Sequence, residues 1–328
     1  MKPTSLESGD KPRVGVLINP LSGKNSRGSA SIFQTISEHP AVVLHKVQNP
    51  QDVYEALVDF GRREVSLVVI SGGDGTVQAA LTVLFQHHLF TSQPQFIVLE
   101  GGTTNMIAGD VGIAGNQEKA LDRLLKWMQT GNGRVTRIQR SIIRLKVPGH
   151  EVKYGMFFGA GIISRGTWYY HSIKNTSGLH GFPGICMTIV RFLWGIILQN
   201  SQLTAPAHIR VRVNKELLEK EDFMLMFVST LNRLFFGLYP FWGNERGPLR
   251  FTAVGSGARH LLRVLPFLAR GRSASKGTKE NGYYSHNLEE IELYIADSVV
   301  LDGEIYTPES GQQPTLLQLG GNVTFLQL

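Results

Sequence analysis

Cysteine is nearly absent from this 328-residue chain, where Cys186 stands alone. One thiol cannot close an internal disulfide, so a disulfide-stapled scaffold is excluded and a cytoplasmic setting is the default. Long apolar runs are also missing. The most apolar stretch, Gly184 to Leu198, is interrupted by Arg191 and is shorter than the ~20 residues a helix needs to cross a bilayer. No transmembrane helix is expected. The polar stretch Met1 to Arg13 lacks the apolar core of a signal peptide and reads as a loose tail. Internal repeats and long low-complexity segments are lacking too.

Charge is sparse and uneven. Charged residues are 18% of the chain against 42% apolar, a globular composition, and the length exceeds one compact domain, so two are expected. The net charge of +7 is compatible with nucleic acid, an anionic membrane or an anionic substrate, so its location matters. Residues 1–130 carry 11 basic and 12 acidic side chains, whereas residues 131–328 carry 22 and 14. The excess lies wholly in the second part. There, residues 246–279 hold eight basic and no acidic residues, while residues 280–328 hold eight acidic and no basic ones.

The first part alternates short apolar runs with amphipathic segments. Val14 to Ile18, Val42 to Val47, Leu67 to Ile70 and Phe96 to Leu99 read as buried strands, and Ser29 to Glu38, Asp52 to Arg62, Thr76 to His87 and Gln117 to Gln129 as helices. That alternation predicts an α/β unit with a parallel sheet, whose ligands bind at the carboxyl ends of the strands. After Gly131 the runs Ser141 to Val147, Lys153 to Phe158, Ile209 to Val213, Phe223 to Ser229, Leu249 to Ala253, Glu290 to Ala296 and Ser298 to Leu301 are mostly separated by turn residues. They predict an antiparallel sheet or β-sandwich. Two helical insertions are expected, Phe182 to Gln199 and about Gly257 to Arg270, the second bent or broken by Pro266. Residues 271–282 read as a mobile loop.

Three strand ends carry the chemistry. SGGDGT, residues 71–76, follows the third strand, and Gly72, Gly73 and Gly75 let the backbone approach an anion so that N–H groups and a helix N-terminus can cradle phosphate. A carboxylate there would repel phosphate. Asp74 therefore implies either a divalent cation or a hydroxyl whose proton it accepts, the structural alternative being a helix cap. NPLSGKNSRG, residues 19–28, supplies Asn19, Ser22, Gly23, Lys24 and Arg27 as phosphate or nucleotide ligands. EGGTTNMIA, residues 100–108, adds Gly102, Thr103, Thr104 and Asn105. Neither the P-loop pattern nor the spaced dinucleotide fingerprint is present.

The set NPLSGK, SGGDGT and GGTTN, followed much later by LDGE at 301–304, resembles the diacylglycerol kinase catalytic family, which includes bacterial soluble lipid kinases and sphingosine and ceramide kinases. The resemblance covers nearly the whole chain. It implies a phosphofructokinase-like parallel α/β domain over residues 1–130, an antiparallel β-sandwich over 131–305 that holds lipid, and a segment, 306–328, that returns to the first domain. ATP, carrying Mg²⁺, would lie in the cleft. By the same resemblance Gly72, Gly73, Asp74, Gly75, Thr76, Val77, Gln78 and Thr103 contact ATP, with Asn19 and Lys24 beside it. Asp74 would serve the metal and the acceptor hydroxyl. Glu304 would act as proton acceptor.

The sequence departs from the family at three places. Many bacterial members have an acidic residue where Met106 stands, another where Ile162 and Ile163 stand, and a structural magnesium loop where residues 244–251 carry Arg246 and Pro248. No such structural metal is expected. A less polar cleft suits a neutral lipid such as diacylglycerol or ceramide. Gly184 to Leu198 and residues 258–272 combine apolar residues with arginines, as an interfacial helix does. The expected partners are thus a lipid substrate and an anionic membrane surface met peripherally, without nucleic acid, and a homodimer is compatible with the sequence. An NAD-kinase-like enzyme, which shares a GGDGT loop, and a non-catalytic lipid-binding relative are the alternatives.

Overall fold

The structure, a computed structural model, describes residues 13–25, 42–113, 117–130, 133–177, 187–188, 191, 205–213, 216–218, 220–272 and 277–328. The tail, the expected helix Ser29 to Glu38 and nearly all of the insertion Phe182 to Gln199 lie outside these residues. Two compact units are formed, one from the residues up to Arg140 together with Asn322–Leu328, the other from Ser141–Gly321.

In the first unit β1 (Val14–Ile18), β2 (Val42–Lys46), β3 (Leu67–Gly72) and β4 (Gln95–Glu100) are parallel in the order β2-β1-β3-β4. Phe325, near the chain end, pairs in parallel with Phe96 on the far side of β4. β1 and β3 are buried at every position, which is why their sequences are unbroken apolar runs rather than alternations. Among the described residues four helices connect or flank the strands: α1 (Pro50–Arg62), α2 (Asp74–His87), α3 (Met106–Val111) and α4 (Gln117–Thr130).

α1 starts two residues before Asp52 because Asn49 accepts a hydrogen bond from the Asp52 N–H, Asp52 accepts one in return from the Asn49 N–H, and Pro50 suits the first helical position. Its Val53, Ala56, Leu57 and Phe60, spaced three and four apart, are the buried face. α2 likewise starts early, at Asp74 rather than Thr76. Its N-cap, Gly73, is in extended conformation, and an acidic residue is favoured in a first turn by the helix dipole. On the other side Leu124 and Trp127 of α4 pack against Val16, Val69 and Ile97 of the sheet.

The second unit comprises β5 (Thr136–Lys146, entering from the first unit), β6 (Lys153–Gly155), β7 (Phe157–Gly161), α5 (Ile162–Ser177), β8 (Ala207–Val213), β9 (Glu216–Leu217), β10 (Asp222–Ser229), β11 (Leu249–Gly255), α6 (Leu261–Leu268), β12 (Tyr283–Leu288), β13 (Glu290–Ile295), β14 (Val299–Leu301), β15 (Glu304–Tyr306) and β16 (Thr315–Gln327), which ends in the first unit. One sheet runs β15-β14-β7-β10-β11-β12 and is antiparallel throughout. The other runs β9-β8-β13-β16-β5-β6. Phe158, Met226 and Phe251 of the first share a core with Ile209, Val211, Leu293 and Leu317 of the second, so the unit is a β-sandwich.

Three expectations need correction. Lys153 to Phe158 is not one strand: the Met156 and Phe157 N–H groups both donate to the carboxylate of Asp302, at 2.9 and 2.8 Å, and the ladder breaks there. α5 goes unforeseen because its Ile, Thr and aromatic residues favour strand by propensity. The turn at Gly161, with φ +71°, and the bond from the Ser164 hydroxyl to the Gly161 carbonyl start a helix there instead. α6 is shorter than expected and runs through Pro266 without breaking. Among the described residues β9, β12, β15 and β16 are four further strands the sequence reading leaves out.

Candidate functional site

The loops after β1, β3 and β4 are tied into one hydrogen-bonded body at the carboxyl ends of these strands. The Asn19 N–H donates to the Ser71 carbonyl at 2.9 Å, and its side-chain amide donates to the Thr76 hydroxyl at 3.1 Å. The Gly73 N–H donates to the Ser22 hydroxyl at 3.2 Å, joining the first loop to the second. The Lys24 N–H donates to the Gly101 carbonyl at 2.9 Å and the Gly101 N–H to the Gly72 carbonyl at 3.2 Å, joining in the third. Buried Asn25 donates through its side-chain amide to the carbonyls of Asn19 and Ser71, at 2.8 and 3.0 Å.

The glycines allow the backbones to touch. A Cβ on Gly102 would lie 2.5 Å from the Gly73 Cα, one on Gly101 2.6 Å from the Gly72 nitrogen, and one on Gly23 2.8 Å from the Thr103 hydroxyl. The first two contacts are with backbone, which cannot step aside as a flexible side chain can. Gly102→Ala is therefore expected to cost about 1–3 kcal/mol, read by urea unfolding. A variant as stable as the parent would show that the two loops separate without cost.

Asp74 sits where the second and third loops meet. It is 7% exposed, and its two carboxylate oxygens accept the Met106 N–H at 3.1 Å and the Ile107 N–H at 3.0 Å, so it caps α3 from outside that helix. Burial pushes its carboxyl above the usual carboxylate range, against the bonds from Ile107, Met106 and the Thr104 side chain, which favour the charged form. The cap thus falls on a different helix from the one Asp74 begins. The two backbone bonds leave each oxygen further capacity to accept, which the Thr104 side chain uses only in part.

The other residues singled out in the sequence divide by burial. Gly72, Thr76, Val77, Gln78 and Gly102 are buried; Asn19, Ser22, Gly73, Gly75, Thr103 and Asn105 are half-buried; Gly23, Lys24 and Thr104 are exposed. The half-buried and exposed groups, with the α2 N-terminus that no side chain caps, are those an anion can reach. The Lys24 ammonium pairs with Glu100. Asn105 takes a left-handed conformation, φ 47°, and closes its own loop by accepting the Gly102 N–H at 2.7 Å. Val77 is a core residue, and Met106 is buried, so only its N–H enters the site.

Glu304 lies in the second unit, exposed at the start of β15. The preceding residues form a two-residue hairpin turn, with Asp302 at φ 47° and Gly303 at φ 94°. Within LDGE the two carboxylates have different duties: Asp302, 3% exposed, holds the start of β7, while Glu304 faces solvent. Sequence reasoning missed Asn25, Glu100 and Asp302. Their only signal is position, a polar residue inside or beside a glycine-rich turn.

The body so formed presents backbone N–H groups, hydroxyls and one lysine around a single buried carboxylate. Among the described residues no three His, Cys, Asp or Glu side chains cluster to hold a metal. Asp74 is the buried carboxylate these loops could offer to a divalent cation, a hard ion that takes oxygen ligands.

Residues 13–132 match the family described as the diacylglycerol kinase catalytic domain. Among solved structures, a diacylglycerol kinase from Bacillus anthracis str. Sterne superposes with a TM-score of 0.60 at 16% identity, over 95% of this chain and 96% of that one. A second Bacillus anthracis str. Sterne structure gives 0.64 at 16% identity with the same coverage. At such identity the likeness is one of fold, and it extends over both units. No curated protein sequence matches the chain. Residues 13–132 are thus similar in sequence to the diacylglycerol kinase catalytic domain family, and the fold of both units is similar to that of diacylglycerol kinase structures.

Proposed function

We propose that the chain is an ATP-dependent lipid kinase that transfers the γ-phosphate to the hydroxyl of a neutral lipid such as diacylglycerol or ceramide. The observation that carries this reading is the joining of the three loops: Ser22, Gly73 and Gly101 bring three separate strand ends into one body of N–H and hydroxyl donors, within the segment the kinase family matches. When bound, ATP with Mg²⁺ supplies the transferable phosphoryl group and neutralises much of its charge. The chain's own part is positioning.

In this reading the α2 N-terminus and the hydroxyls of Ser22, Thr103 and Thr104 orient the phosphates, and Lys24 offsets their charge in competition with Glu100. Asp74 holds the third loop against the second and offers its remaining lone pairs to the metal. Glu304 is the proposed acceptor of the lipid hydroxyl proton. Its exposure leaves it free to be changed without touching the fold.

Glu304→Gln tests that assignment. We expect ATP affinity by calorimetric titration and the urea midpoint to stay at parental values, while turnover with lipid falls about 10²-fold or more, the usual contribution of a positioned proton acceptor. Turnover equal to the parent's removes Glu304 from the reaction.

A further inference from the structure

α6 buries one edge and shows another. Val264 and Leu268 pack with Val254 and Tyr283, while Leu265 and Phe267 are 42% and 50% exposed. A second segment, the 3-10 turn Phe235–Gly237 and the residues after it, lies against the end of this helix. The Tyr239 N–H donates to the Ala269 carbonyl at 3.0 Å, and a Cβ on Gly271 would lie 2.5 Å from the Tyr239 ring. That segment exposes Phe236 at 63%, Leu238 at 37% and Tyr239 at 38%. Half of the ten exposed large hydrophobic side chains among the described residues are thus gathered on two adjoining segments. Phe236 is held out by a left-handed backbone, φ 55°, which a bulky aromatic seldom adopts.

The charge that α6 and its flanking residues carry is basic, the nearest acidic residue in that direction being Glu280, beside the Asn281 whose carbonyl accepts the Arg259 N–H. Arg259, Arg263, Arg270 and Arg272 are all exposed, and the chain carries no acidic residue from Arg246 to Lys279. Aromatic and aliphatic tips set among arginines suit the headgroup layer of an anionic bilayer, where the tips enter the acyl boundary and the guanidinium groups meet lipid phosphates. Self-association through the same face would set arginines of one copy against arginines of the other. We propose that α6 and the segment Phe235–Tyr239 together form a docking face for an anionic lipid bilayer. The sequence reading reached only the helical half of this face, because the other half lies more than twenty residues earlier.

The proposal stands apart from the kinase reading, since a chain that transfers no phosphate can bind vesicles, and a kinase can fail to. The test is sedimentation of the full chain with vesicles of phosphatidylcholine alone and of phosphatidylcholine mixed equally with phosphatidylglycerol, at low and high salt. Parental protein should bind the anionic vesicles far better, and salt should weaken that binding. The pairs Leu265→Ser with Phe267→Ser, and Arg263→Glu with Arg270→Glu, should each lower binding about tenfold or more. Leu217→Ser, which alters an exposed leucine on β9, should not. Parental binding that is equal on both vesicles or absent from both would overturn the proposal, and needs no variant to fold. So would double variants that bind as the parent does, or a parental dimer in sedimentation velocity that the variants dissociate while vesicles go unbound.

Discussion

Replacing Asp74 with alanine is expected to lower stability by about 2–6 kcal/mol and phosphoryl transfer by about 10²-fold or more. The first figure follows from leaving the N–H groups of Met106 and Ile107 buried without an acceptor, each at about 1–3 kcal/mol. The second follows from freeing α3 and the GGTTN loop from the GGDGT loop, since a misplacement of ~1 Å costs about that much in a positioned reaction. Asparagine should fall between, because its oxygen serves one N–H while its own amide hydrogens face the other. The pH dependence separates the two forms of the carboxyl. Burial raises the folded-state pKa of Asp74 above that of the unfolded chain, so the stability it confers is full below the ordinary carboxylate range and is lost as pH rises through the raised value. An asparagine side chain, which does not titrate, would not share that loss. The difference in unfolding free energy between parent and Asp74→Asn should therefore narrow as pH rises, and a widening difference would show that the N–H bonds outweigh burial.

Asp302→Ala should destabilise the second unit by roughly 3–5 kcal/mol in urea unfolding. Two buried N–H groups lose their acceptor, and alanine is placed in a left-handed turn that Asp or Asn tolerates. Asp302→Asn should retain the turn and lose about half as much. Glu304→Gln, two residues along, should stay within about 0.5 kcal/mol of the parent. Equal losses at the two positions would contradict the division of duties within LDGE.

Much of this was legible in the residues. Continuous apolar runs such as Leu67 to Ile70 mark strands buried on both faces, and Asn49-Pro50 with Asp52 marks the start of a helix. The glycine-rich loops announced themselves because their sequence pattern is also their mechanism: Gly101 and Gly102 must lack side chains for the loops to meet. α5 was not legible, because local propensity in Ile162–Ser177 favours strand and the helix depends on a turn at Gly161. The break at Met156 was not legible either. It is caused by Asp302, 146 residues later in sequence, and no local signal points to it. Asp74 shows the same limit within the site, since its position was evident but its bonds to the α3 N-terminus depend on packing.

The reading of the chain as a lipid kinase is tested most directly by incubating it with γ-labelled ATP, Mg²⁺ and a total lipid extract, with NAD in a parallel reaction, and resolving the products by mass spectrometry. Label in the phosphate of a lipid bearing a free hydroxyl, reduced about 10²-fold or more by Asp74→Ala, is the predicted result. Label in NAD and in no lipid, or hydrolysis of ATP without any labelled acceptor, would contradict it.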